Sequence, residues 1–122
     1  IQIEVDEHLA WYFDRELIIH VLNDVFVNAL RYCRQRILVQ VSVEQQQLVL
    51  AVNDDGPGFP DFMLQAVKPD MSPPDLQHSH TGLGLYFARL IAAAHKNQGQ
   101  HGSVQLRNNS ELGGGVFVLQ LP

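Results

Sequence analysis

Apolar and polar positions along the chain fall into stretches of period two and stretches of period near four. Ile1 to Val5 alternates apolar and polar residues, the pattern of a half-buried strand. Leu9, Ala10, Trp11, Tyr12 and Phe13 form a short apolar run that predicts a second, edge strand. Asp14 then stands at a helix N-cap, and the helix runs to about Cys33. Leu17, Ile18, Val21, Leu22, Val25, Phe26, Ala29 and Leu30 make one wide stripe at helical spacing, which must pack on a sheet. Strands follow over 37–43 and 48–52, joined by a hairpin connection at 44–47. A short helix is expected over 61–67. It cannot continue through 68–75, where prolines lack the N–H and restrict their neighbours. A helix from about Thr81 to His95 carries almost no charge apart from Arg89 and should be largely buried against the sheet. Residues 97–102 read as a loop. Residues 103–107 and 116–121 read as an antiparallel strand pair, with 111–115 in the connection between them.

Candidate chemistry sits on three of these elements. On the polar side of the first helix, Glu16, His20, Asp24 and Asn28 recur every fourth residue, so Asp24 and Asn28 share one patch. Arg31 and Tyr32 follow within the next turn. Glu16 and His20 read as a solvated face. Asp24 and Asn28 have poor helix propensity, so something other than helix stability keeps them there. A carboxylate and a carboxamide one turn apart can give hard oxygen ligands to Mg²⁺, which binds through few protein ligands plus phosphates and waters.

The second strand of the hairpin runs into Asp54-Asp55-Gly56-Pro57-Gly58, a sharp turn with two residues free to take positive φ. An acidic residue at such a strand end can accept a hydrogen bond from an exocyclic amine while the glycines leave room for a flat ring. A turn-capping aspartate is the equal alternative. The third stretch, His80-Thr81-Gly82-Leu83-Gly84-Leu85, opens the last helix. Its glycines let the backbone pass close to a ligand, and the first helical turn aims unpaired N–H groups at it, an arrangement suited to phosphate. The irregular segment of about 61–80, between two candidate ligand loops, has the position of a lid.

Composition removes several alternatives. At 122 residues the chain is one domain with a single core. The formal net charge is −5 and no basic cluster occurs, so no nucleic-acid partner is expected. Cys33 is alone and cannot form an internal disulfide; a buried thiol is expected. The six histidines are scattered, with no ligand set for a tetrahedral zinc. No run of apolar residues reaches membrane-spanning length, and no signal peptide opens the chain. The first residue is Ile1 rather than Met, which predicts a domain excised from a larger protein.

Taken in order, the three motif stretches resemble the ATP-binding catalytic domain of bacterial sensor histidine kinases, a branch of the superfamily that also holds DNA gyrase, Hsp90 and MutL. Asn23 to Tyr32 is similar to the family's N box, Asp54-Asp55-Gly56-Pro57-Gly58 to its G1 box, and Thr81-Gly82-Leu83-Gly84-Leu85 to its G2 box. The ending Gly113 to Pro122 is similar to the family's final strand and Leu-Pro stop. The implied fold is α+β, a two-layer sandwich of Bergerat type: a mixed, mostly antiparallel sheet with helices on one face. The implied cofactors are ATP and Mg²⁺. By the same resemblance Asn28 ligates the metal, Arg31 meets the phosphates, Tyr32 borders the nucleotide and Asp54 accepts the adenine amino group. Gly56 and Gly58 shape the pocket wall, and Thr81, Gly82, Leu83, Gly84 and Leu85 form the phosphate side.

The implied activity is protein histidine kinase, in which the domain supplies the γ-phosphoryl group for histidine autophosphorylation. Its implied partners are a dimerisation and phosphoacceptor domain of the same protein and a response regulator downstream. The implied place is cytoplasmic, with the parent an inner-membrane sensor in many such kinases. Two departures stand out. Asp24 occupies a position where the kinases carry asparagine; an acid there activates the nucleophile in the ATP-hydrolysing and anti-sigma-factor branches. It is therefore a base, a second metal contact or a neutral substitution. His80 replaces a glycine, and no phenylalanine-containing F box is found. The alternatives are an anti-sigma-factor-like serine kinase or ATPase of the same fold, and a degenerate nucleotide-binding or docking module.

Overall fold

The structure, a computed structural model, describes residues 1–66, 80–109 and 111–122, and within these all side chains but those of Phe62, Gln65, Ala66 and residues 80–83. Most of the segment expected as a lid lies outside the described residues.

The elements run β1 (Gln2–Glu4), α1 (Arg15–Tyr32), β2 (Ile37–Glu44), β3 (Gln47–Asp54), α2 (Asp61–Ala66), α3 (His80–Ala94), β4 (Lys96–Asn97), β5 (Gln100–His101), β6 (Ser103–Arg107) and β7 (Val116–Leu121). Five strands form one sheet in the order β1-β2-β3-β7-β6. β1 pairs with β2 in parallel, and every other neighbour is antiparallel. The expected mixed, mostly antiparallel α+β sandwich is therefore what the chain forms.

Helix α1 starts where its capping residue dictates. Asp14 is extended, and its carboxylate accepts the Leu17 N–H at 3.1 Å. Glu16 in the first turn and Arg31 in the last both match the helix dipole. Ile18, Val21, Val25 and Ala29 form the buried stripe. The stripe is narrower than its sequence predicts, because Leu17 and Leu30 are 41% and 57% exposed. At roughly 100° per residue these two lie about 100° and 120° to either side of Ile18, beyond the arc one sheet can cover. In α3 likewise Leu85, Ala88 and Ala92 are buried while Phe87 and Leu90 are exposed, so this helix is less deeply covered than its lack of charge implied.

The sheet register sorts residues between the two faces. Val39, Val52 and Phe117 are cross-strand partners on the helix-covered face, and the next inward row holds Leu50 and Leu119. Phe117, Leu119 and Leu121 are each 1% exposed, and α1 and α3 pack over them. β2 and β3 are joined by Gln45 and Gln46, both at positive φ, the geometry of a two-residue hairpin turn.

Three local expectations change. β1 is fully exposed rather than half-buried, since it is a short edge strand paired on one side only. Leu9 to Phe13 is not a strand. Trp11 instead reaches the other end of the chain, its Nε1–H donating to the Pro122 carbonyl at 3.0 Å. The loop at 97–102 contains a two-stranded hairpin, β4 and β5, turning at Gln98 and Gly99 with positive φ. Just before it, His95 ties the start of α1 to the end of α3. Its Nε2 accepts the Asp14 N–H at 2.9 Å and its Nδ1 lies 2.8 Å from the Ile91 carbonyl, which requires the proton on Nδ1.

Candidate nucleotide site

Alternation along β3 decides where its last residues point. Asp54 continues the inward series of Leu48, Leu50 and Val52, so it arrives at the end of the core beneath the helices. It is 6% exposed. Its neighbours do other work. Asn53 faces the opposite side of the sheet and donates to the Leu38 carbonyl and to Gln40 Oε1, each at 3.1 Å. Asp55 turns back to the α1–β2 connection, where its carboxylate accepts the N–H groups of Arg34, Gln35 and Arg36 at 2.7–3.2 Å. Desolvation pushes the Asp55 pKa upward, but the backbone donors together outweigh it and hold the group below the ordinary aspartate value. Three adjacent residues of one polar cluster thus serve three separate sites.

The Asp54 carboxylate is fixed by backbone. Its Oδ1 accepts the Gly56 N–H at 2.9 Å and the Gly115 N–H at 3.3 Å. The peptide groups of Asp54 also bond to the triple-glycine connection, with Asp54 N–H to the Gly115 carbonyl at 3.0 Å and Gly114 N–H to the Asp54 carbonyl at 3.1 Å. Only glycine permits this approach. A Cβ on Gly56 would lie 2.3 Å from the Tyr32 carbonyl oxygen, and one on Gly114 would lie 2.5 Å from both Asp54 oxygens.

Two hollows open on either side of Asn28. One, about 360 Å³, is lined by Tyr32, Asp54, Pro57, Gly58, Phe59, Pro60 and Met63 together with Asn28. It is a mainly apolar slot with a fixed carboxylate at one wall, a shape that suits a flat heterocycle bearing an amino group. The other, about 170 Å³, lies between α1 and α3, and Asp24, Asn28, Arg31 and Gly84 supply its polar lining and its glycine gap. A narrow gap lined by Asn28, Asp54, Phe59 and Leu85 shares lining residues with both.

The sequence candidates thus converge. Asp24, Asn28, Arg31, Tyr32, Asp54, Gly58, Gly84 and Leu85 line these hollows, and Gly56 backs the Asp54 wall. Leu85 is also a core residue, 6% exposed. Gly82 and Gly84 lie within the first turns of α3 rather than in a preceding loop, because the helix already begins at His80. The side chains of Thr81 and Leu83 lie outside those described. Asp24 Oδ2 sits 3.8 Å from His20 Nε2, one turn back on the exposed face of α1.

Asn28, which lines both hollows, holds an unsatisfied acceptor. Its Oδ1 is buried and has no hydrogen-bond partner among the described residues. A buried carbonyl oxygen without a donor is costly, and a cation or a ligand donor would relieve it. The donor set around it, a carboxamide oxygen with the Asp24 carboxylate one turn away, is hard oxygen and fits Mg²⁺ beside phosphates. No cluster of three or more His, Cys, Asp or Glu side chains offers another metal site among the described residues.

Two contributors escaped the sequence reading. The glycines at 113–115 read as a connection and the start of the family-like ending, with no tie to the Asp54 turn, yet Gly114 and Gly115 hold Asp54. Asn108 was not singled out, yet its amide grips the backbone of Phe59 with two hydrogen bonds. The repeat of three glycines before a strand was the available signal for the first; nothing local marks the second.

Residues 13–122 match the family model described as histidine kinase-, DNA gyrase B-, and HSP90-like ATPase. Among curated proteins, the signal transduction histidine-protein kinase AfsQ2 of Streptomyces coelicolor is 33% identical over 107 residues, covering 84% of this chain and 18% of that protein. The sensor protein kinase CarS of Pseudomonas aeruginosa is 34% identical over 114 residues, covering 93% and 24%. The chain thus spans about a quarter or less of the length of these relatives. Among solved structures, the Acinetobacter baumannii histidine kinase AdeS superposes with a TM-score of 0.69 at 26% identity, over 98% of this chain and 52% of that one. The catalytic domain of histidine kinase ThkA shares the fold, with a TM-score of 0.72 at 22% identity, over 98% and 75%. With its site assembled from the ends of β3, α1 and α3, the chain belongs to the histidine kinase-, DNA gyrase B- and HSP90-like ATPases, as an ATP-binding catalytic domain of the sensor histidine kinase kind.

Proposed function

We propose that this domain binds Mg-ATP between α1, α3 and the Asp54 turn and supplies the γ-phosphoryl group to a histidine on a separate dimerisation and phosphoacceptor domain, with a response regulator as the next recipient. The observation that carries the reading is the orphaned Oδ1 of Asn28, a residue that lines both hollows. Asp54 takes the amino group of adenine, with Gly56, Gly58 and Tyr32 bordering the base. Arg31 and the Thr81–Leu85 turn meet the phosphates, and Asn28 is the protein ligand of the metal. Bound Mg²⁺ would neutralise phosphate charge as transfer proceeds. The residues of this chain orient the nucleotide; the acceptor comes from elsewhere, on the cytoplasmic side of the parent protein.

Asp24 supports a second use of the same site. A carboxylate lining the cleft beside Asn28 and Gly84 is in position to accept a proton from a hydroxyl or water nucleophile, as a serine kinase or ATPase requires. The two uses separate in one variant: Asp24→Asn abolishes turnover and spares binding only if Asp24 is the base.

Calorimetric titration of an ATP analogue, with and without Mg²⁺, tests the site. Saturable, Mg²⁺-dependent binding that is lost in Asn28→Ala and in Asp54→Ala is expected, together with no self-labelling by γ-labelled ATP. Absence of binding would leave a docking module of degenerate sequence. Strong self-labelling of this chain would place the acceptor within it.

A further inference from the structure

We infer that Asn108 is a positioning residue for recognition of the base, acting through Gly58 and Phe59. The inference rests on the adenine-nucleotide reading of the cleft. Asn108 lies just beyond β6, outside all the motif stretches, and 49 residues from Phe59. Its Oδ1 accepts the Phe59 N–H at 2.7 Å, and its Nδ2 donates to the Phe59 carbonyl at 3.2 Å. One side chain thus satisfies both backbone groups of Phe59, as a neighbouring strand would. The fit is mutual. Gly58 has φ +92°, and a Cβ there would lie 2.7 Å from Asn108 Oδ1.

What this grip holds is the inner wall of the slot. The Phe59 ring reaches inward so closely that a Cβ on Gly115 would lie 2.6 Å from it. Phe59 lines both the base-side hollow and the narrow gap toward Asn28. Asp54 faces the same space, locked to Gly115. The lateral position of Phe59 therefore sets the width available to a flat ring and the distance from that ring to the Asp54 carboxylate. Asn108 is itself exposed, so its influence comes through directed hydrogen bonds rather than through core packing.

The experiment uses this chain with Asn108→Ala and Asn108→Asp, and three probes: Mg-ATP, Mg-GTP and Mg-tripolyphosphate. Two neutral hydrogen bonds together are worth about tenfold in affinity. The alanine variant should lose about that much for ATP and narrow the preference for ATP over GTP, with tripolyphosphate binding unchanged because that probe has no base. The aspartate variant keeps the acceptor for the Phe59 N–H but turns a carboxylate oxygen toward the Phe59 carbonyl, so it should weaken ATP binding at least as much as alanine does. An alanine variant that binds ATP as wild type does would overturn the inference. So would equal losses for ATP and tripolyphosphate, which mark a general structural role, or an aspartate variant that binds ATP as wild type does. If the unaltered chain binds no ATP, the reading of the cleft fails first and this inference with it.

Discussion

Asp54 and Gly115 hold each other from two directions. The Asp54 N–H donates to the Gly115 carbonyl at 3.0 Å, and the Gly115 N–H donates to the Asp54 carboxylate at 3.3 Å. The carboxylate that lines the hollow beside Asn28 is thereby oriented by a segment 61 residues away.

Gly114→Ala should break this arrangement. The added methyl would lie 2.5 Å from two Asp54 oxygens and 2.6 Å from the Gly56 nitrogen, all of them in or held by backbone. Overpacking of this kind costs about 1–3 kcal/mol. The expected result is a lower melting temperature and loss of Mg-ATP binding. Wild-type affinity in this variant would mean that the two turns can part without disturbing Asp54.

Asp55 predicts an acid-sensitive stability. Its pKa is lower in the folded chain than the ordinary aspartate value. Its contribution is therefore complete above the unfolded-state value, shrinks as the pH falls below that value, and is gone below the folded value. Asp55→Ala should lower the melting temperature at neutral pH and flatten its dependence on pH in the acid range. Melting curves of both proteins from neutral to strongly acid pH should converge as the pH falls. Curves that stay parallel into acid would show that the N–H contacts at 34–36 gain no stability from the charge of Asp55.

Phe117 separates core from site. It is 1% exposed and sits in the cross-strand row with Val39 and Val52. Phe117→Ala should cost about 3–5 kcal/mol, read by chemical denaturation. Gln105→Ala, on the open face of the neighbouring strand, should stay within about 0.5 kcal/mol. A small effect at Phe117 would mean that the sheet can collapse into the void.

The contrast between Asp54 and Asp55 explains what could be read from residues alone. The strand periods, the capping Asp14 and the glycines of the turn are local, and local chemistry decides them. Two adjacent aspartates look alike in a sequence, yet sheet alternation sends one into the cleft and a distant turn captures the other. Asn28 was legible because a carboxamide is a poor choice for a helix interior, so its presence asks for a reason. Asn108 was not, since an asparagine after a strand is ordinary turn composition and its partner lies far along the chain. Leu9 to Phe13 misled for a related reason. Apolar residues need a surface to cover, and here Trp11 and Leu9 pack against the core without joining any strand.

The bond between Asp14 and His95 has a mechanical consequence. It fastens the beginning of α1 to the end of α3, while Asn28, Arg31 and Gly84 lie toward the opposite ends of these antiparallel helices. The pair is pinned at one end, in the manner of tongs closed at the pivot. From Asp14 to Asn28 the arm is about 21 Å long at 1.5 Å per residue, so about 5° of rotation at the pivot moves the jaw by nearly 2 Å. A small rotation where α3 ends would thereby be amplified, by geometry alone, at the end that carries Asn28 and Gly84.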